Sequence, residues 1–175
     1  MKRSIASALI ELDRIDALIV ALLQRDARIS NTALAAAVNL SQSACRARVK
    51  RIEADGVIRG YTAILDDDRL GLPIKVFASI ALDEQGKNHA ARFEARINAL
   101  PEATECHVVS GATDYIVRFV CRDIARYNAL TEALLADQDL GMKQIVSRFL
   151  LKTTKAAAPR DLRALGIGRA RTPAA

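Results

Sequence analysis

The order of apolar patterns between residues 73 and 152 constrains the fold of this chain more than any other feature. Phe93 and Ile97 are spaced as on one helix face, and Leu130 and Leu134 repeat that spacing further on. Strand-like and helix-like patterns alternate in six segments: strands at 73–82, 104–110, 114–121 and 142–151, and helices at 88–100 and 123–135. This order predicts a ferredoxin-like βαββαβ domain at residues 73–152.

An antiparallel sheet of this kind has helices on one face and leaves the other face bare. A second copy of the same domain is an economical cover for that face. We therefore expect the chain to form a homodimer through residues 73–152.

The first 65 residues carry helical rather than strand periodicity. Three helices are predicted, with Asp13, Ser30 and Ser41 as N-caps, because short oxygen-bearing side chains accept hydrogen bonds from free N–H groups at helix starts. Asn39 is expected to make the tight turn after the second helix, and Gly56 to end the third. Residues 57–65 are rich in β-formers and are predicted to be a strand. Together these elements predict a winged helix-turn-helix.

The predicted architecture is therefore α+β, with two domains and a tail. Residues 66–72 interrupt both periodicities with three consecutive acids and a glycine, and they are predicted to be a linker between domains 1–65 and 73–152. Residues 153–175 are basic and rich in Ala, Pro and Gly, so we expect a largely flexible tail in which residues 160–165 could form a helical turn or two.

Charge is distributed unevenly along the chain, whose net charge is +6. Residues 1–65 have 10 basic and 6 acidic side chains, residues 66–151 have 10 and 13, and residues 152–175 have 6 and 1. A basic first domain indicates a polyanionic partner.

The third helix concentrates that charge on one side. At about 100° per residue, Cys45, Val49 and Ile52 share an apolar face, while long polar side chains lie opposite and on the flanks. The DNA major groove is about 12 Å wide and admits one helix, provided that small side chains stand where the helix enters. The segment therefore predicts a DNA-recognition helix whose contact residues are Ser41, Gln42, Ser43, Ala44, Arg46, Ala47, Lys50 and Arg51.

The motifs of residues 9–152 resemble those of the Lrp/AsnC family of transcription regulators. The resemblance rests on Leu12, Asp13 and Asp16 at the first helix, on the 34–41 turn, on the 45–51 helix, and on a glycine followed by an aspartate in "VVSGATDYIVRF". It implies a sequence-specific regulator that binds double-stranded DNA. It also implies dimers that join through the βαββαβ domains, often into tetramers or octamers.

The same resemblance implies a small effector, usually an amino acid, bound where two dimers meet. Carried over by position, the effector-binding residues are Gly111, Asp114, Tyr115 and Ser147. Asp114 suits the ammonium group of an amino acid, and backbone N–H groups near Gly111 suit its carboxylate. The chain departs from the family at Ile145, where threonine is frequent, and this leaves the polarity of the pocket open. The alternative is that residues 110–113 form a tight turn that binds no ligand, with Gly111 at a positive φ.

Two alternatives stay open from the residues alone. One is an effector-independent, nucleoid-type architectural DNA binder, which the basic tail would suit. The other is an enzyme resembling the sirohaem decarboxylase subunits, which share the two-domain architecture; the scarcity of histidine, two in the chain, opposes it. A regulator rather than an enzyme is the prediction.

The remaining chemistry of the sequence points to no bound cofactor. Cys45, Cys106 and Cys121 form no CxxC pair, so reduced and mostly buried thiols are expected. Cys106 and His107 are neighbours on a strand and point to opposite faces, so no metal site is predicted. No apolar run approaches the ~18 residues of a membrane span, and a cytoplasmic protein is expected.

Overall fold

The computed structural model describes residues 10–83 and 88–168, and these form two compact units. The first unit contains the described residues up to Ala63 and again from Lys155, and the second extends from Ile64 to Thr154. Among the described residues, no helix has the length and apolar content needed to cross a membrane.

Three helices build the first unit, and each begins at the predicted cap. They are α1 (Arg14–Arg25), α2 (Asn31–Ala37) and α3 (Gln42–Ala54). Asp13 accepts a hydrogen bond from the backbone N–H of Asp16, Ser30 from that of Ala33, and Ser41 from that of Ala44. Asn39 and Gly56 adopt the left-handed conformation that turns the chain after α2 and α3, as predicted.

Apolar side chains from all three helices meet in one core. Ile19, Leu34, Cys45 and Ile52 are buried at its centre, with Val49 packed against it. The predicted inner face of α3 is therefore confirmed, and it anchors the helix with its opposite side outward.

The second unit has the predicted element order. It contains β1 (Ile74–Leu82), α4 (His89–Asn98), β2 (Ala103–Val108), β3 (Tyr115–Cys121), α5 (Ile124–Ala136), a 3-10 turn (Gln138–Leu140) and β4 (Met142–Phe149). The sheet order is β2-β3-β1-β4, with every neighbouring pair antiparallel. This is the ferredoxin-like arrangement that the apolar patterns predicted.

The two faces of the sheet differ in their cover. Val76, Ala78 and Ile80 of β1 are buried beneath the helices, together with Phe93 and Leu134 from the helices themselves. Lys75, Phe77 and Ser79 alternate with them and therefore point to the opposite face. Ile116 on β3 and Val146 on β4 stand beside Ser79 and share that uncovered face.

The predicted wing strand at residues 57–65 is wrong. The backbone N–H groups of Val57 and Ile58 donate to the carbonyl of Ile52, and the Tyr61 hydroxyl donates to the Glu53 carboxylate at 2.9 Å. Residues 57–65 pair with none of the strands found in the described part of the chain. A strand needs an adjacent edge to pair with, and the described part of the first unit offers helices alone. Residues 57–61 instead fold back onto the end of α3.

The predicted linker is also more ordered than its composition suggests. Asp66 accepts hydrogen bonds from the N–H groups of Asp68 and Arg69, and Leu72 donates to the carbonyl of Asp67. Lys75 forms an ion pair with Asp68 at 2.7 Å. Residues 66–72 are thus a hydrogen-bonded turn that belongs to the second unit.

The tail differs from the predicted flexible segment in its described part. Leu162 is 9% exposed and belongs to the apolar core of the first unit. Residues 155–168 therefore fold with the first unit, and residues 169–175 lie outside the described part of the chain.

Candidate functional sites

The start of α3 is held by polar contacts within the first unit. Ser41 caps the helix, and its Oγ lies 3.2 Å from the Oγ of Ser43. The side-chain amide of Asn31, at the start of α2, donates to the carbonyl of Gln42 at 3.1 Å. The first turns of α2 and α3 are thereby fixed to each other.

The outward side of α3 is polar and basic. Gln42, Ser43, Arg46, Ala47 and Lys50 are exposed. Neither Arg46 nor Lys50 has an ion-pair partner among the residues that the structure describes. Small side chains near the start of the helix and cations further along are the pattern that entry into a DNA groove requires.

One buried carboxylate joins α1 to α3. Asp16 is 1% exposed, and it accepts hydrogen bonds from the guanidinium groups of Arg48, at 2.8 Å, and Arg51, at 2.5 Å. Its second function is local: it accepts from the N–H of Asp13 and completes the capping box of α1. A buried charge needs such partners, because an unpaired carboxylate in the core would be strongly destabilising.

Asp13 extends the same network towards the surface. Burial acts to raise the pKa of its carboxyl, but the N–H of Asp16 and the guanidinium of Arg48 outweigh that effect and lower the pKa below its ordinary value. The same two aspartates raise the pKa of Arg48 through hydrogen bonds. Asp13, Asp16, Arg48 and Arg51 are called the α1–α3 ion cluster below.

The structure divides the predicted DNA-contact residues into three groups. Most of them, including Ser41, lie exposed on the outward side of α3, and Ala44 is half-buried beside that side. Arg51 is held by Asp16, although 51% of its side chain remains exposed. The holding role of Arg48 and Arg51 was missed from the sequence. The spacing of Asp13 and Asp16 in the sequence indicates a capping box, but it does not indicate that Arg48 and Arg51 bind these carboxylates.

Two of the predicted effector residues share one turn. Between β2 and β3, the N–H of Val109 donates to the carbonyl of Asp114, and the N–H of Asp114 donates to that of Ile80. The Asp114 carboxylate accepts from the N–H of Leu82 at 2.8 Å. Gly111 has a φ of 118°, which favours glycine. The turn therefore presents an exposed carboxylate at the end of β1.

Tyr115 lies in the core instead of on an open surface. Its ring packs on Phe93 with centroids 4.6 Å apart, and its hydroxyl donates to Glu94 at 2.9 Å. Burial and the Glu94 carboxylate raise the pKa of Tyr115 to about 12. The side chain thus packs α4 against the sheet next to the Asp114 turn.

Ser147 stands apart from the other predicted effector residues. It faces Ala78 on β1, whereas Tyr115 faces Ile80 from the other side of that strand. Its hydroxyl is 2.5 Å from that of Tyr127. One chain therefore brings Gly111, Asp114 and Tyr115 together and leaves Ser147 beyond β1.

The thiols and the possible metal ligands add no further site. Cys45 and Cys121 are buried, Cys106 is half-buried, and all three are free; burial raises the pKa of each. Within the described ranges, no three His, Cys, Asp or Glu side chains are grouped closely enough to hold a metal ion.

Two stretches of the chain match known domain families. Residues 12–53 match the AsnC-type helix-turn-helix domain, and residues 75–159 match the Lrp/AsnC ligand binding domain. The first match covers the three helices and their turn, and the second covers the βαββαβ sheet.

Named relatives resemble the chain over most of its length. It is 41% identical to the transcriptional regulatory protein DoeX of Halomonas elongata, over 83% of this chain and 91% of that protein. It is 41% identical to the Bkd operon transcriptional regulator of Pseudomonas aeruginosa, over 82% and 93%. The leucine-responsive regulatory protein of Escherichia coli is 40% identical, over 69% and 73%. These names describe regulators rather than enzymes or nucleoid proteins.

Experimental structures with the same fold include two regulators. One is a transcriptional regulator from Neisseria meningitidis in complex with L-Met, with a TM-score of 0.82 and 29% identity over 88% of this chain and 99% of that one. The other is an AsnC family transcriptional regulator from Agrobacterium tumefaciens, with a TM-score of 0.79 and 31% identity over the same shares.

The α1–α3 ion cluster yields a stability prediction. We expect Asp16→Asn to lower the free energy of unfolding of the first unit by about 1.5–3 kcal/mol, because two guanidiniums lose a charged acceptor. Asp13→Asn is the matched control, since asparagine also caps helices and Asp13 is half-exposed, and it should change stability by less than about 1 kcal/mol. Hydrogen exchange of α1 and α3 amides measures both variants. Equal effects of the two substitutions would contradict a special role for Asp16.

Proposed function

The chain belongs to the Lrp/AsnC family of transcriptional regulators, and from this premise we propose how its two units perform regulation. The first unit binds double-stranded DNA through the outward side of α3, and the second binds a small amino-acid-like effector. The observation that carries the proposal is the free basic side of α3, anchored from behind by its buried apolar face.

The contacts of α3 with DNA follow from side-chain length and position. Ser43 and Ala47 are small enough to let the helix approach the base edges, and Ser41 and Ala44 border the same entry. Arg46 and Lys50 reach bases or phosphates with charges that no described acid neutralises. The free N–H groups at the start of α3, beside Gln42, suit a phosphate.

The sequence predicted that Arg51 contacts DNA, but in this proposal its main role is to hold α3 in place. Together with Arg48 it binds Asp16 of α1, so that the orientation of α3 relative to α1 is set before DNA binds. A DNA phosphate could share the exposed edge of Arg51. Base reading is assigned to Gln42 and Ser43, while Arg46 and Lys50 contact bases or phosphates.

An amino-acid effector would find complementary groups at the turn between β2 and β3. The exposed Asp114 carboxylate can accept hydrogen bonds from an ammonium group, and backbone N–H groups near Gly111 can donate to a carboxylate. Tyr115 stiffens the base of the turn through Phe93 and Glu94. The Neisseria relative was crystallised with L-Met, which supports an amino acid as the ligand class.

Assembly is expected through the uncovered face of the sheet. Phe77 is 39% exposed there, and Ile116 and Val146 flank Ser79 in the neighbouring row. Apolar side chains on the open face of an antiparallel sheet are stabilised when a second copy covers them. We propose a dimer through this face and higher assemblies in which turns from two dimers enclose the effector, with Ser147 contributing from β4. The regulator would act in the cytoplasm, where its DNA lies.

DNA reading by α3 is tested with Arg46→Ala and Lys50→Ala. A side chain that reads a base should lose about 1–3 kcal/mol of binding free energy at one position of the site. One that binds phosphate should weaken all sequences alike and reduce the slope of log K against log salt by about one. Sequence-selected DNA and fluorescence anisotropy at several salt concentrations distinguish the two roles.

Arg25→Ala is the control, because it removes the same charge from the last turn of α1. It should leave both the affinity and the salt slope near those of the unaltered protein. If Arg46→Ala and Lys50→Ala behave like this control, α3 does not bind the DNA.

Effector binding is tested by a thermal-shift screen of the twenty amino acids. A true effector at about 100 Kd should stabilise the protein by roughly 2.7 kcal/mol. Asp114→Asn should abolish that gain while keeping an oxygen for the N–H of Leu82. Asp139→Asn, at another exposed acid, should preserve it. If no amino acid stabilises the protein, or if Asp114→Asn is stabilised as much as the unaltered protein, this assignment is refuted.

The dimer face is tested by placing a charge on it. We expect Phe77→Arg to shift the protein towards the protomer mass in light scattering, because Arg118 and Arg148 stand opposite position 77 on the two neighbouring strands and a third cation there is repelled. Leu135→Arg changes an exposed leucine of α5 and should leave the mass of the assembly unchanged. Identical masses for both variants would place the interface elsewhere.

A further inference from the structure

The segment at residues 159–168, called the strap below, is bound to α1 by a pair of hydrogen bonds. The side-chain amide of Gln24 donates to the carbonyl of Arg160 at 3.2 Å and accepts from the N–H of Arg160 at 2.9 Å. One glutamine thus satisfies both backbone groups of a residue that is 136 positions away in the sequence. Neither of these backbone groups is therefore left without a partner.

A leucine two residues further on supplies the apolar part of the contact. Leu162 is buried in the same core cluster as Ala17, Val20 and Ile52. Ile167, with Leu162, lines a cleft of about 460 Å³ together with Leu12. The strap therefore contributes core to the helical unit instead of resting on its surface.

The strap is shaped for this position by its own hydrogen bonds. The Asp161 carboxylate accepts from the N–H groups of Arg163 and Ala164, and Ile167 donates to the carbonyl of Leu162. At Gly168 the fit to α1 is so close that an added Cβ would lie 2.5 Å from the Cβ of Ala17. A single helical turn, preset by Asp161, thus presents Leu162 to α1.

We propose that the face of α1 formed by Ala17, Val20 and Gln24 is a docking surface whose occupant is the strap of the same chain. The docked strap is a required part of the DNA-binding unit. The chain passes from the first unit to the second at Ala63–Ile64 and returns to the first at Thr154–Lys155. Because the strap docks on α1, the chain connects the two units at both of these points. The docking residues lie beyond residue 159, where the match to the ligand-binding domain family ends.

Undocking has two consequences. It uncovers apolar surface on α1 and loosens the helix whose Asp16 positions α3, so that the amides of α1 exchange faster. It also weakens DNA binding, a consequence that rests on the proposed function. The chain that leaves the second unit at Thr154 thus ends in a segment on which the positioning of the recognition helix depends.

The test compares Leu162→Ala with Leu165→Ala in the full chain. Leu165 belongs to the strap but is 63% exposed, so its truncation matches the change in composition without removing core. Leu162→Ala should speed amide exchange in α1 by at least about tenfold, because removal of a buried leucine both uncovers α1 and leaves a cavity. Leu165→Ala should leave α1 unchanged, and neither variant should alter exchange in β1 and β3.

A second variant tests the polar half of the docking contact. Gln24→Ala removes both hydrogen bonds to Arg160, and we expect exchange in α1 to rise by about fivefold. Unchanged exchange in both Leu162→Ala and Gln24→Ala would overturn the docking proposal.

DNA affinity of the same variants separates this inference from the proposed function. Leu162→Ala should bind the selected DNA less tightly than Leu165→Ala does. Faster exchange with undiminished affinity would overturn the link between strap and recognition helix. A failure of the unaltered protein to bind any DNA would contradict the proposed function. The amide-exchange comparison would still test whether the strap docks on α1, because it does not involve DNA.

Discussion

The buried carboxylate of Asp16 is the interaction on which the recognition surface depends. It lies at the first turn of α1, where it completes the capping box begun by Asp13, and it binds the two guanidiniums that α3 extends towards it. Such a carboxylate is stable in a core only when its partners stay in place, so it favours one orientation of α3 over others. The apolar face of α3 sets how deeply the helix packs into the core, and the α1–α3 ion cluster sets its orientation relative to α1.

This arrangement divides the basic residues of α3 into two groups. Arg48 and Arg51 face α1 and hold the helix, whereas Arg46 and Lys50 face solvent without a described acidic partner. The segment that follows α3 adds one contact of its own, the hydrogen bond from Tyr61 to Glu53 near the end of the helix. The apolar face and the ion cluster hold α3 from the protein side, and Arg46 and Lys50 are left on its outward side.

The second unit uses rigidity differently. Its sheet positions the Asp114 turn through bonds to β1, and Tyr115 anchors the turn to α4, but Ser147 remains on the far side of β1. A complete effector site by this proposal needs further copies of the chain, as does a cover for Phe77. The proposed assembly would meet both requirements, and effector binding and oligomer geometry would then be parts of one equilibrium.

Local patterns in the sequence predicted the helices, their caps and the order of the six elements of the sheet domain, because these depend on residues within a few positions of one another. Asp13, Ser30 and Ser41 each accept from an N–H three residues ahead, and such pairs can be read directly. Contacts between distant parts of the chain are the reason that residues 57–65 form no strand, that Arg51 binds Asp16, and that Leu162 enters a core. Those outcomes depend on groups up to 136 positions apart, whose meeting follows from packing and not from local pattern.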